Sequence, residues 1–264
     1  MTNLLIVGER INSSNRGAKE ILQDRNADAL LEMARDQVSG GATIIDLNAS
    51  MLMDAETEVL HWAAQLLLET FQVRISFDSP DIEILLRMAS HFGRDAICNS
   101  LTSDTDTLDR ALPALAETGA GIFIMLKSTA GIPDTAEGRI ALAESAVSVA
   151  DTHGIARNDI FLDPVFTPLA TSHGGLHVVL ETIALLRERF PGCHRVGGLS
   201  NVSFGLPMRR LLNRTFLAMA VARGLTAVIC DPTDARLMDT LRVSEALTGL
   251  DPGCRELLRW YRSR

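Results

Sequence analysis

Val73-Arg74-Ile75-Ser76-Phe77-Asp78-Ser79-Pro80-Asp81, running on through Ile82 to Gly93, contains the repeating unit of this chain. A short run, nearly continuous in apolar residues, ends on a carboxylate, as a strand covered on both faces would. Ser79-Pro80-Asp81 then offers an N-cap, a first-turn proline and an acid suited to a helix dipole. Leu85, Met88, Ala89 and Phe92 follow at helical spacing, and Gly93 supplies the stop.

Outward from this unit the pattern recurs to both ends. The apolar runs are Leu4 to Gly8, Ala42 to Leu47, Val73 to Asp78, Asp95 to Asn99, Gly121 to Leu126, Asp159 to Asp163, Arg195 to Leu199 and Thr226 to Cys230. Between them, Leu108, Leu112 and Leu115 form a stripe closed by Gly119. Asp134 with Glu137 resembles a capping box ahead of Ile140, Ala143 and Val147, in a helix ending near Gly154. Gly40-Gly41, Pro191-Gly192 and Gly224 punctuate other helix ends. Eight strand–helix units in 264 residues predict one α/β domain over residues 1–264, a (β/α)8 TIM barrel. An open doubly wound sheet is the alternative, because periodicity does not show closure. Both architectures put ligands at the carboxyl ends of the strands.

Composition narrows the function classes. The formal charge is -8, from 25 basic and 33 acidic residues, which lacks the basic footprint of a nucleic-acid binder. The cysteines Cys98, Cys193, Cys230 and Cys254 occur singly, so neither a zinc site nor a disulfide framework is signalled. The first residues lack the basic flank and apolar segment of a secretory signal, and no run approaches the roughly 18 apolar residues of a membrane span. A soluble, cytoplasmic protein with no membrane or nucleic-acid partner is expected. The histidines show no metal spacing; His173 and His177 are four apart without a third ligand nearby and are expected at the surface. No GxxxxGKS, GxGxxG or GxSxG motif occurs.

The chemistry-bearing residues gather at strand ends. Asp78, Asn99 and Asp163 each close a buried run, which in a barrel sets them on the rim where sites are built. Two acids and an amide suit a flat heterocycle with ring N–H and amino donors, because a carboxylate facing two adjacent donors gains parallel charge-assisted hydrogen bonds. The competing reading is that each caps the next helix. Asp46-Leu47-Asn48 closes the second run, and Gly8-Glu9-Arg10-Ile11-Asn12 the first; here a buried ion-pair network of Glu9, Arg10 and Asp46 is expected. Glu9, Asn12, Asp46 and Asn48 are secondary site candidates. Gly198-Leu199-Ser200-Asn201-Val202-Ser203-Phe204-Gly205 follows the seventh run. The Asn201 amide can donate to an uncharged nitrogen and strengthen that bond as lone-pair density builds there; the alternative is a turn-forming Asn. Ser200 beside it, and Arg209 beyond it, join the secondary candidates. Arg209 or Arg210 could meet an anionic tail, since arginines at a helix start need a compensating contact. Lys127 follows the fifth strand and is either a ligand contact or a solvated loop residue.

In order, Gly-Glu-Arg-Ile-Asn, Asp-Leu-Asn, Asp-Ser, Asn-Ser, Asp-Pro, Gly-Leu-Ser-Asn-Val-Ser and Asn213-Arg214-Thr215-Phe216 resemble the pterin-binding methyltransferases over essentially the whole chain. These enzymes of one-carbon metabolism move methyl groups between methyltetrahydrofolate and a corrinoid. The likeness is to the methyltetrahydrofolate:corrinoid protein methyltransferases of acetogens and to the folate module of cobalamin-dependent methionine synthase. Ser203-Phe204-Gly205-Leu206-Pro207 looks more like the latter branch. The resemblance implies a pterin-binding (β/α)8 barrel, commonly a homodimer, with no catalytic metal. It implies that Asp78, Asn99 and Asp163 hydrogen-bond the pterin and that Asn201 contacts N5, the methyl-bearing atom. The Asp-x-His-x-x-Gly motif of B12-binding domains is absent, and Asp151-Thr152-His153-Gly154 does not satisfy it. The expected corrinoid (cobalamin) is therefore carried by a separate protein docking over the rim. The alternatives are a dihydropteroate synthase-like enzyme, against which stands the missing Asn-Val-Thr-Pro-Asp-Ser-Phe segment, and a non-catalytic folate-binding protein.

Overall fold

The computed structural model describes residues 4–172 and 175–262. Eight parallel strands run β1 Leu5–Asn12, β2 Ile44–Asn48, β3 Arg74–Asp78, β4 Ala96–Thr102, β5 Gly121–Met125, β6 Ile160–Asp163, β7 His194–Arg195 and β8 Ala227–Cys230. Each pairs with its sequence neighbour, and β1 also pairs with β8. Between β7 and β8 the ladder is sparse but present: Thr226 N–H donates to Arg195 O (3.1 Å) and Ile229 N–H to Gly197 O (3.1 Å). That seam closes the barrel and rules out the open sheet.

The strands match the apolar runs, with informative differences. β1 and β4 continue beyond their runs to Asn12 and Thr102, each with a register shift (Gly8 to Ile11, Cys98 to Leu101) that re-aims the residues between. β7 is only His194–Arg195, sharing Arg195 alone with its expected run, and Leu199 already begins a one-turn helix, Leu199–Val202. Two cap assignments also need correction. The helix Ile82–Phe92 is capped by Asp81, whose carboxylate accepts from Glu83 N–H (2.9 Å), while Ser79 is buried before it. The helix Ala136–Thr152 is capped by Thr135, accepting from Gly138 N–H (3.1 Å), and not by Asp134. Gly41, Gly119 and Gly224 do end their helices in the left-handed region, as their positions required.

Two apolar layers hold the barrel. The larger joins outward-facing strand residues such as Ile45, Leu47, Phe77 and Leu162 to the helices. The smaller fills the barrel itself: Val7, Ile44, Ile97, Phe123, Phe161, Val196 and Ala227, with the Phe123 and Phe161 rings 4.8 Å apart. This plug forms the floor beneath the C-terminal mouth. Among the described residues no helix is long and apolar enough to cross a membrane.

Gly197 sits where the chain leaves β7, and a Cβ there would stand 2.3 Å from the Phe166 ring. Phe166 cannot swing away, being buried and packed edge-on against Phe216 at 5.1 Å. Gly197→Ala should therefore destabilise the protein by about 1–3 kcal/mol through overpacking, seen as a lower thermal midpoint, and Phe166→Leu in the same chain should recover part of that loss.

Candidate active site

Inward positions on a strand recur every second residue. Two residues above the plug, on the same inward rows, come Glu9 after Val7, Asp46 after Ile44, Asn99 after Ile97, Met125 after Phe123, Asp163 after Phe161 and Ile229 after Ala227. On β3 the row reads Arg74, Ser76, Asp78. The result is a polar cavity of about 1170 Å³ at the carboxyl ends of the strands. Asn12, Ser200, Asn201, Arg209 and Lys127 complete walls already formed by Glu9, Asp46, Asp78, Asn99 and Asp163. Asn48 is not a wall residue. It stands behind Asp78 and donates Nδ2 to its Oδ2 (3.0 Å), while its own Oδ1 accepts from Ser13 and Ser50.

The strand-end residues do not cap helices. Asp81 caps the helix after Asp78, and β4 runs on past Asn99 to Thr102. Asp163 accepts from Val165 N–H (2.7 Å) in a short turn that follows β6. The expected ion-pair network of Glu9, Arg10 and Asp46 does not form. Arg10 points outward to Asp36 (3.5 Å), Glu9 accepts from the Ser200 hydroxyl (2.6 Å), and Asp46 accepts from Ser76 Oγ (2.6 Å) and Asn99 Nδ2 (3.0 Å). A guanidinium turned into this mouth would have to shed its water, and Asp36 spares Arg10 that loss.

Although Arg209 and Lys127 reach the walls, burial holds the acids toward their neutral forms. Burial pushes the Asp46 carboxyl up to about 8, helped by the neighbouring Asp78 charge and opposed by the Ser76 and Asn99 hydrogen bonds. Burial likewise raises Asp78, against the Asn48 hydrogen bond, and Glu9, against the Ser200 hydrogen bond. Asp163 is carried up to about 7 by burial, restrained by the Val165 N–H, Arg139 and Lys127. Such a mouth is prepared for a ligand that brings its own N–H donors.

Asn201 differs from the rest. It lies in the helix Leu199–Val202, not in a turn, and its side-chain amide has no hydrogen-bond partner among the described residues. Gly198 leaves room for it, since a Cβ there would stand 3.0 Å from Asn201 Nδ2. Arg209, at the start of helix Arg209–Arg223, finds its compensation within the chain: Nε donates to Ser203 Oγ (3.2 Å) and Nη2 to the Ser200 carbonyl (3.0 Å). It thereby props the segment that carries Asn201.

Sequence reasoning missed two supports. Ser76, whose hydroxyl orients Asp46, was visible as the polar inward residue two before Asp78. Arg139 is buried and donates Nε to Pro133 O (3.0 Å) and Nη1 to Pro164 O (2.5 Å), pinning the loop after Asp163. Its signal was a cation on the apolar face beside Ile140 and Ala143. No group of three or more metal-ligating side chains occurs among the described residues, and His173 lies outside them.

A closed parallel barrel whose mouth presents several carboxyls and a free amide defines a small-molecule site for a donor-rich, flat ligand. The chain belongs to the pterin binding enzyme family, whose sequence model matches residues 8–231. It is similar to the methylcorrinoid:tetrahydrofolate methyltransferase of Eubacterium limosum, at 31% identity over 98% of this chain and 96% of that one. It is also 25% identical to the methionine synthase of Mycobacterium tuberculosis, over 94% of this chain but only 22% of that much longer protein. Among solved structures, dihydropteroate synthases share the fold: that of Coxiella burnetii with pteroic acid has a TM-score of 0.72 at 18% identity over 95% of both chains. That of Yersinia pestis has 0.67 at 22% over 93% of both.

The raised carboxyls fix a pH dependence. Asp46 is protonated in the native state up to about pH 8, whereas in the unfolded chain it ionises near its ordinary 3.8. The unfolded state therefore binds fewer protons across that window, and stability falls as pH rises from about 4 to 8, by at most about 1.4 kcal/mol per pH unit for this group. Asp46→Asn, which keeps an acceptor for Ser76 and Asn99, should flatten the decline in thermal midpoint between pH 5 and 8.

Proposed function

We propose that this protein moves a methyl group between N5 of tetrahydrofolate and the cobalt of a corrinoid carried by a separate protein. The observation that carries the reading is the free Asn201 amide facing the same cavity as Asp78, Asn99 and Asp163. In this reading Asp78, Asn99 and Asp163 hold the pterin ring through its N–H and amino edges, with Asn48 and Arg139 keeping two of those acids in place. The Eubacterium limosum relative, which is named for this pair of substrates and matches nearly end to end, supports the same assignment.

The chain's own contribution to the step is electrostatic and geometric. An N5-methyl amine is a poor leaving group, so transfer requires the N5 lone pair to be stabilised as the N–CH3 bond breaks. In this reading Asn201 Nδ2 donates toward N5, a bond that strengthens as electron density builds there, and once N5 takes a proton the amide's Oδ1 accepts from the N5–H instead. The corrinoid cobalt supplies the nucleophile in this direction and the methyl group in the other. Glu9, hydrogen-bonded to Ser200 beside Asn201 and held toward its neutral form by burial, fixes that segment from below. Exposed Phe204 and Met208, just beyond Asn201, give the rim an apolar pad suited to a macrocycle.

Three of the free cysteines, Cys98, Cys193 and Cys230, are buried, which fits a reducing cytoplasm. Exposed Met219, Val243 and Leu247 on the neighbouring helices Arg209–Arg223 and Ala235–Leu247 offer a face for a second copy in a homodimer.

Anaerobic mixing of the protein with methyltetrahydrofolate and free cob(I)alamin should produce the methylcobalamin spectrum. Asn201→Ala should slow this by about 100-fold while changing folate affinity far less. Equal losses in rate and affinity would make Asn201 a binding residue, and folate binding without any methyl transfer to free or protein-bound corrinoid would defeat the enzymatic reading.

A further inference from the structure

The first strand carries one residue more than its neighbour along the mouth. Gly8 pairs with Ile45 and Ile11 with Leu47, so Glu9 and Arg10 together stand opposite the single residue Asp46. Such a bulge shifts the inward and outward phase of the strand by one residue. Regular alternation with Glu9 facing in would turn Ile11 into the mouth and Asn12 away from it. With the bulge, Glu9 and Asn12 both line the mouth, and Ile11 joins the outer core.

A bulge takes an N–H out of the sheet ladder, and that N–H needs another acceptor. Here the acceptor comes from behind the strand. Gln37, on helix Ala27–Gly40, accepts from Arg10 N–H through its Oε1 (3.0 Å). Of the three buried residues of this helix, Leu30, Ala34 and Gln37, Gln37 alone is polar, and it is wholly enclosed. Gly8 keeps the space open for it, since a Cβ there would stand 2.5 Å from the same oxygen. Gln37 Nε2 has no partner among the described residues, so the oxygen is the end that the fold uses. Asp36, next to it on the helix, meets the Arg10 guanidinium (3.5 Å), and the bulge is thus tied to one helix by backbone and side chain alike.

We infer that Gln37 is a positioning residue for methyl transfer, acting on Asn201 from behind the barrel wall. The inference rests on the methyltransferase reading above and adds the contact that sets its geometry. Three links join the two residues. Gln37 fixes the bulge, the bulge sets the phase in which Glu9 faces the mouth, and Glu9 accepts from Ser200 (2.6 Å), the residue before Asn201. Gln37 itself reaches no reacting atom; it decides where the amide stands. Small displacements of such a group are costly, because a misplacement of about 1 Å caused by a remote change can slow a reaction by about 100-fold.

The test measures kcat and KM for methyl transfer from methyltetrahydrofolate to cob(I)alamin. Gln37→Met, similar in size but without the acceptor, should lower kcat roughly 10-fold and change KM for the folate by less than about 2-fold. In the Asn201→Ala protein the same substitution should cost less than about 2-fold, because the path it supports then ends on a missing amide. Gly8→Ala, which crowds the same oxygen, should reproduce Gln37→Met and carries the comparison if that variant does not fold. Leu30→Ala, a buried residue of the same helix, should lower the thermal midpoint yet leave kcat unchanged well below it. Equal losses with and without Asn201, or a matching loss of kcat in Leu30→Ala, would reduce Gln37 to a structural role and overturn the inference. If the wild-type protein transfers no methyl group, the reading above fails, and a crystal structure of Gln37→Met decides the rest. Release of Glu9 from Ser200 or of Asn12 from the wall would uphold the positioning role, and both in place would overturn it.

Discussion

Every strand of a closed barrel must send each second side chain into one narrow space, and the chemistry of this protein follows from how that space is filled. At the bottom, Val7, Ile44, Ile97, Phe123, Phe161, Val196 and Ala227 meet and exclude water. One inward step higher the same rows turn polar, with Glu9, Asp46, Asn99 and Asp163. The plug lowers the dielectric beneath these groups, and the open mouth lets a ligand reach them. Neither feature alone would raise the acids as a set. An apolar floor under an open mouth does so where no cation pairs directly with them.

Carboxyls held in this way need orientation that does not neutralise them by pairing. The fold supplies neutral donors: Ser76 and Asn99 for Asp46, Asn48 for Asp78, the Val165 N–H for Asp163, Ser200 for Glu9. Parallel register sets one of these relationships directly, since Asp46 is opposite Ser76. Lys127 and Arg209 stand in the walls but make no ion pair with these acids among the described residues. Arg139 braces the loop carbonyls after Asp163 and acts on that acid only through space. Carboxyls so arranged favour a ligand that brings its own N–H donors.

Much of this was legible in the sequence because it depends on local order. The apolar runs closing on Asp78 and Asp163 mark strand ends, and Gly41, Gly119 and Gly224 after helical stripes mark helix stops. The family resemblance rested on the same strand-end motifs. What the sequence did not disclose depends on distances across the barrel. Arg10 is adjacent to Glu9 in the chain, yet successive residues on a strand face opposite ways, and it reaches Asp36 on a helix instead. Cap positions slipped by one or two residues because Ser79, Asp81, Asp134 and Thr135 are all competent caps and tertiary packing decides among them. Closure was illegible because it rests on backbone bonds at β7 and β8 that any residues could make. Ser76 and Arg139 were readable in principle, as polar residues on rows that are otherwise apolar.

The choice of an amide at position 201 follows from its neighbours. A carboxylic acid there would join four others already pushed toward neutrality, and its proton would be shared among them instead of directed at one nitrogen. A lysine or arginine would pair with Glu9 or Asp46 and be drawn away from the ligand. An uncharged donor avoids both outcomes and keeps its hydrogen at any pH the fold tolerates. In the proposed transfer it also serves both directions, because an amide carries a donor for the N5 lone pair as the methyl group leaves and an acceptor for the N5–H that leaves that lone pair free when the methyl group is gained. On the proposed function, a site that must release and accept the same group is better built around Asn201 than around a titrating acid, with the titrating acids left to hold the ring.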